Sequence, residues 1–299
     1  MRNWSRWESR RWNQRRANLW LFPWSLAAVI CFIAGQGPSA SGAELRAETL
    51  AGFSRYVRAT EARINRQVQR PEAFLYVDGL APDRRSQVMD ELRRGEIFME
   101  RLVALDAAGR RIEIPGGRIH HWIGAVLIPG APLSKVLDFT QDYNRHQDYF
   151  SEIVRSRLLA RDGQHFKIFY RLRKHKVITV TLDTEHDIRY VRLGDSRCWS
   201  RSVSTRIAEV ANAGSSDEHQ KPVGHDRGFL WRANSYWRFA ERDGGTYIEY
   251  EAVSLTRDFP AGLGWLIGPF VRNVPKESIE ETLSATRSAV LMRPWKDRN

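Results

Sequence analysis

His120-His121-Trp122 is the densest set of side chains in the sequence that could do chemistry. On a strand, neighbouring side chains point to opposite faces, so the two imidazoles are not expected to share one metal ion. One should face the interior and one outward. His121 shares its row with Ile119, Ile123, Ala125 and Leu127, which marks it as the inward candidate. Its expected role is that of a half-buried, hydrogen-bonded histidine, with a cavity hydrogen-bonder or general base as the alternative. His219 and His225 lie near Asp217, Glu218 and Asp226. That composition could hold a divalent ion, but the spacing matches no helix-borne or hairpin-borne ligand set, so a solvated loop is expected. Glu249 and Glu251 alternate on one strand row with Tyr247, Val253 and Leu255. Two carboxylates can divide acid and base work when their environments separate them. At a two-residue step they are expected instead to form a solvated or salt-bridged outer row, with Arg201 and Arg206 as partners.

Other chemistries lack their residues. There is no GxSxG nucleophile motif and no GK[ST] phosphate loop. The glycines of Gly262-Leu263-Gly264-Trp265-Leu266-Ile267-Gly268-Pro269-Phe270 miss the dinucleotide spacing. They read as packing between strand and helix, with a hinge at a pocket mouth or a membrane-touching segment as the alternative. The two cysteines, Cys31 and Cys198, exclude a disulfide framework and a cysteine-based zinc site. No catalytic residue, metal site or cofactor is assigned.

Positioning elements follow from periodicity. Residues 46–69 read as an amphipathic helix ended by Pro71, Phe74–Val77 as a short strand, and Pro82–Arg94 as a second helix. Glu96–Leu105 returns to an extended pattern. Residues 44–115 are therefore read as an N-terminal extension packed on a main domain of 116–292, with 293–299 as a tail. In the main domain, Ile119–Ile128 is a strand and Pro132–Tyr143 a helix. Six extended segments follow at 152–161, 164–174, 177–191, 197–210, 229–241 and 245–257, separated by turn residues such as Asp162-Gly163 and Asp243-Gly244-Gly245. Asn212–Arg227 is a long polar loop. A helix from Pro275 to about Leu291 closes the domain, with Ile279, Leu283, Ala289 and Val290 as its apolar stripe. Hairpin-length turns make the six strands a sequential antiparallel meander. The sheet needs a cover for its buried face, and the last helix is the expected one.

This order over about 118–292 resembles the helix-grip fold of the START-related lipid-binding superfamily, SRPBCC, which includes polyketide cyclases. The resemblance is carried by Gly124–Pro132 leading into Val136-Leu137, by Asp142-Tyr143-Asn144-Arg145-His146, by Trp237-Arg238-Phe239 with Asp243–Tyr247, and by Ser254–Asp258. It implies an α+β fold: a curved antiparallel sheet of about seven strands around a long C-terminal helix, here with an α-rich N-terminal extension. It further implies a cavity between sheet and helix for a hydrophobic or lipid-like ligand. Candidate cavity residues are His121, Trp231, Trp237, Phe239, Tyr250, Ala252, Ser254, Ile279 and Leu283. A cyclase-like or aromatase-like enzyme in the same cavity, or a structural factor with a filled core, are the alternatives.

Composition bounds the setting. Apolar residues at 42% and charged residues at 27% are ordinary for a globular chain, so wholesale disorder is excluded. Of the net charge of +12, residues 1–43 carry +5, and no Lys/Arg block remains elsewhere, so no nucleic-acid partner is expected. An Arg-rich start, the 16-residue run Leu19–Ala34 and Ser41-Gly42-Ala43 form the pattern of a signal peptide, 1–43, cleaved after Ala43. The alternative is an uncleaved single-span anchor, although 16 residues give only about 24 Å of helix. The expectation is an exported, periplasmic or secreted monomer with transient membrane contact.

Overall fold

The computed structural model describes residues 43–176, 178–258 and 264–292. Of the expected signal peptide only Ala43 is described, and the expected tail lies outside the described residues. The elements begin with β1 (Ala43–Glu44), α1 (Ala47–Val68), α2 (Pro82–Arg93), β2 (Phe98–Arg101), β3 (Gly117–Pro129) and α3 (Leu133–Thr140). There follow β4 (Ile153–Asp162), β5 (His165–His175), β6 (Thr179–Arg192), β7 (Arg197–Ala211), β8 (His219–Gln220), β9 (His225–Asp226), β10 (Arg232–Arg242), β11 (Gly245–Arg257) and α4 (Gly264–Met292). None of the described helices is long and apolar enough to cross a membrane.

Every strand pair is antiparallel, and the main sheet runs β2-β3-β11-β10-β7-β6-β5-β4. The six later strands are thus a meander, and β3 closes onto the last of them. Their turns are built from the residues that demand them. At the β10–β11 hairpin Asp243 and Gly244 both have positive φ, 54° and 74°, as a two-residue turn matching strand twist requires. Two-residue β8 adds to the end of β7, and β1 pairs with β9 apart from the main sheet. The loop 212–227 therefore holds short strands.

Strand alternation sends two rows to two different cores. Val126, Ile128, Phe166, Ile188, Phe239 and Ile248 pack with α3 and α4 on the concave face. Ile123, Ala125, Leu127, Tyr236, Tyr247, Val253 and Leu255 pack on the other face with the N-terminal elements. There α1 contributes Phe53, Tyr56, Val57, Ile64 and Val68, a stripe at three-, four- and seven-residue steps. At β3, β10 and β11 both faces of the sheet are consequently packed, whereas the sequence pattern pointed to one.

Two local expectations change. Phe74–Val77 is not a strand; it runs from the 3-10 turn Pro71–Ala73 into the 3-10 turn Val77–Gly79. Its amides are taken by carboxylates, Leu75 N–H donating to Asp78 and Tyr76 and Val77 N–H donating to Glu249, so they cannot join a ladder. The last helix starts at Gly264, not near Pro275. Proline inside a helix forfeits a backbone hydrogen bond but does not forbid the helix, so Pro275 does not mark a first turn here. Gly264–Phe270 is helical as well, and the preceding Gly262-Leu263 lies outside the described residues.

Helix α4 seats closely on β3 because Gly124 has no side chain. A Cβ there would stand 2.6 Å from both Leu283 Cδ1 and Met99 Sδ.

Candidate functional site

A cavity of about 340 Å³ lies between the concave sheet face and α4. Strands β3, β5, β6, β10 and β11 supply its walls, and Pro275, Ser278, Ile279 and Thr282 of α4 supply its cover. Its size falls within the range of small-molecule sites, roughly 300–1,000 Å³.

One wall is aromatic. Trp237 of β10 and Tyr250 of β11 are register partners with ring centroids 4.4 Å apart. Ala252 and Ser254 continue the β11 row along the cavity, and Ile279 faces them from α4. Phe239 stacks parallel to Trp237 at 5.8 Å but is sealed in the core behind it. Leu283 is likewise spent on the Gly124 contact and fully buried.

His121 and Trp231 do not reach the cavity. The row of His121 faces α1, and the even row His120, Trp122, Gly124, Val126 and Ile128 faces the cavity side. Both rows are apolar enough to be buried, so alternation could separate the two histidines without saying which was inward. Trp231 precedes β10, so its place in the period-two row does not apply; its indole N–H donates to Asp226 at 3.0 Å on the far side of the sheet.

The sequence reading missed His120, His146, His186, Tyr143, Tyr170 and Tyr190, all of which line the cavity. Tyr143 and His146 stood in a quoted motif, but only the fold brings them beside β5 and β6. Tyr170 O–H donates to His146 Nδ1 at 2.6 Å, and the Tyr143 and Tyr190 hydroxyls meet at 3.0 Å. Burial sets the protonation of His120, His186 and the three tyrosines. It pushes His120 down to about 4, aided by the Arg118 and Arg101 charges, and His186 down to about 4. It pushes Tyr190 up to about 12, and Tyr143 and Tyr170 well above their ordinary value. At neutral pH these groups are uncharged.

Charge is confined to the rim. Glu152 accepts from Ser278 Oγ at 2.8 Å and is also paired with Lys174, while Ser151 bonds Glu281. Lys176 pairs with Glu277 at 2.7 Å. These contacts tie the ends of β4 and β5 to α4 across the mouth.

The Glu249–Glu251 row is not solvated. Both carboxylates are fully buried against Arg238, which lies 2.9 Å from Glu249 and 3.1 Å from Glu251. Arg63 of α1 also pairs with Glu251. Arg201 and Arg206 turn instead to Glu61 and Gln220. A carboxylate accepts only, so His121 Nε2–H donates to Glu251 at 2.8 Å, and Nδ1 accepts from Tyr56 O–H at 3.0 Å. Burial alone would raise the Glu251 pKa, but the His121 hydrogen bond and the Arg238 and Arg63 charges outweigh it and hold the group at about 2. This network joins the extension to the sheet.

In the 212–227 loop, Glu218 binds Arg171 and the Gly214 amide, His219 binds the Asp217 carbonyl, and Asp226 serves Gly228 and Trp231. No group of three or more metal-ligating side chains occurs among the described residues.

No protein-family model and no curated protein matches the chain. Solved structures do. A STAR-related lipid transfer protein fragment from Xanthomonas axonopodis is 18% identical, with a TM-score of 0.43, over 64% of this chain and 99% of that one. Human STARD10 is 12% identical, with a TM-score of 0.42, over 72% and 82%. The Zhui aromatase/cyclase from Streptomyces sp. R1128 is 12% identical, with a TM-score of 0.35, over 59% and 96%. The fold assignment rests on the chain's own topology. A meander closed by its first long strand, curved over a C-terminal helix, is a START/SRPBCC-like helix-grip fold.

Proposed function

We propose that this chain is an exported binding protein that carries a hydrophobic, lipid-like ligand between the concave sheet and α4. The carrying observation is the apolar-walled cavity of about 340 Å³ in the interior of the fold. Apolar surface removed from water there is worth roughly 25 cal/mol per Å². Neutral imidazoles and phenols orient a ligand without the cost of buried charge. They are also poorly matched to acid–base work, which favours groups that titrate near the working pH.

The same cavity supports a second reading, a cyclase-like enzyme, on one contact: the His146–Tyr170 hydrogen bond at 2.6 Å on its wall. Turnover by purified protein would favour that reading over the carrier.

Mass spectrometry of the natively purified protein should find co-purified lipid. Ala252→Phe fills the wall next to Tyr250. Overpacking a filled core costs about 1–3 kcal/mol. Here the unfolding midpoint should hardly move while a fluorescent sterol or fatty-alcohol analogue stops binding. A large stability loss, with no ligand bound by the parent protein, would establish the filled core instead. Export belongs to this reading: mature protein from the native host should begin near Glu44, and a retained Arg2 would favour the membrane anchor.

A further inference from the structure

Two histidines on different cavity walls share one arrangement. Thr256 donates its hydroxyl hydrogen to the Arg257 carbonyl at 3.2 Å, so it can only accept from His120 Nε2, 3.1 Å away. Thr184 donates to the Tyr170 carbonyl at 3.3 Å, so it can only accept from His186 Nε2, 3.0 Å away. A neutral imidazole has one donor and one acceptor. In both rings the donor is spent on threonine, and Nδ1 keeps its lone pair with no protein partner. Neither Nδ1 is among the sealed, partnerless buried atoms, and both residues line the cavity, so each acceptor has open space before it. His146 differs, because its Nδ1 already takes the Tyr170 hydrogen.

Cations do not offset this bias. Lys174, at the rim, is held by Glu152 and lies 3.8 Å from Glu281. Arg173 is exposed. The serine hydroxyls of Ser202, Ser235 and Ser254 on the walls can donate or accept, so they do not choose a ligand charge.

We propose that the ligand is uncharged and donates hydrogen bonds: an apolar body carrying an O–H or N–H, such as an alcohol or phenol, received by Nδ1 of His120 or His186. A carboxylate on the same body is disfavoured there, because it would set lone pair against lone pair at Nδ1, and the described cations that line the cavity, Lys174 and Arg173, stand at its rim. This rests on the reading of the cavity as a ligand site.

The test uses three matched fluorescent probes on the full chain at neutral pH: pyrenebutanol, methyl pyrenebutyrate and pyrenebutyrate. The alcohol should bind roughly tenfold tighter than the ester or the carboxylate, the worth of one hydrogen bond to an otherwise unsatisfied buried acceptor. His120→Phe or His186→Phe should narrow the alcohol-to-ester ratio. If either variant fails to fold, the ranking on the parent protein still decides. Carboxylate binding as tight as the alcohol, or ester equal to alcohol, overturns the inference and leaves the carrier reading standing. Saturable binding of none of the three overturns both.

Discussion

At the scale of single residues, the decisive group is Glu251. It is fully buried and answers Arg238, Arg63 and His121 together. Glu251→Ala leaves buried Arg238 under-compensated and should cost about 3–5 kcal/mol, read as the shift in urea midpoint. Glu96→Ala, which removes an exposed pair with Arg94, should stay within about 0.5 kcal/mol. Equal effects would refute the network's role. His120 and His186 set a pH dependence. Their folded pKa values, about 4, lie below the ordinary 6.5, so the unfolded chain binds more protons between those values. Stability should therefore be full above about pH 6.5 and fall as pH drops toward 4, by up to roughly 3 kcal/mol per histidine. Glu251 acts lower, losing its contribution as pH falls toward about 2. A melting temperature flat from pH 7 to pH 4 would contradict the neutral-histidine account.

At the scale of elements, the cavity exists because α4 is held close at β3 and tied by polar contacts at β4 and β5. Gly124 sets the close end. Gly124→Ala meets the side-chain ends of Leu283 and Met99 and, at 3.1 Å, Ile279 Cγ2, so it should cost less than a larger side chain. Gly124→Val should cost about 1–3 kcal/mol by overpacking. Leu283→Ala placed on the valine variant should recover part of that loss, which a double-mutant cycle in thermal unfolding would reveal. A neutral Gly124→Val would mean that the helix seats elsewhere.

At the scale of the whole molecule, the N-terminal segment is part of the fold. Residues 44–115 cover the convex face at β3, β10 and β11, where Arg238, Glu249 and Glu251 are buried and where Arg242 pairs with Asp78 at 2.6 Å. A chain of 116–299 would expose an apolar sheet face bearing an incomplete ion network. We expect it to lack cooperative unfolding and dispersed amide signals in NMR. Native-like spectra from that fragment would make the extension dispensable.

Alternation, turn residues and helix spacing were local, and they were legible. The boundaries of β4–β7 and β11, the Asp243-Gly244 turn and the stripe Ile279–Leu283 follow from them. They could pair Tyr250 with Ala252 and Ser254 on one row, and separate His120 from His121. They could not say which row faced which neighbour, because both faces of β3, β10 and β11 are covered and apolar residues occupy both. Assembly decided that. Placing α1 on the row of Glu249 and Glu251 turned an expected solvent face into a buried ion network and took His121 with it. Seating α4 on the opposite row opened the cavity to His120 and, four strands along the sheet, to His186. Period two carries the difference between neighbours, whereas burial depends on which element arrives from elsewhere in the chain.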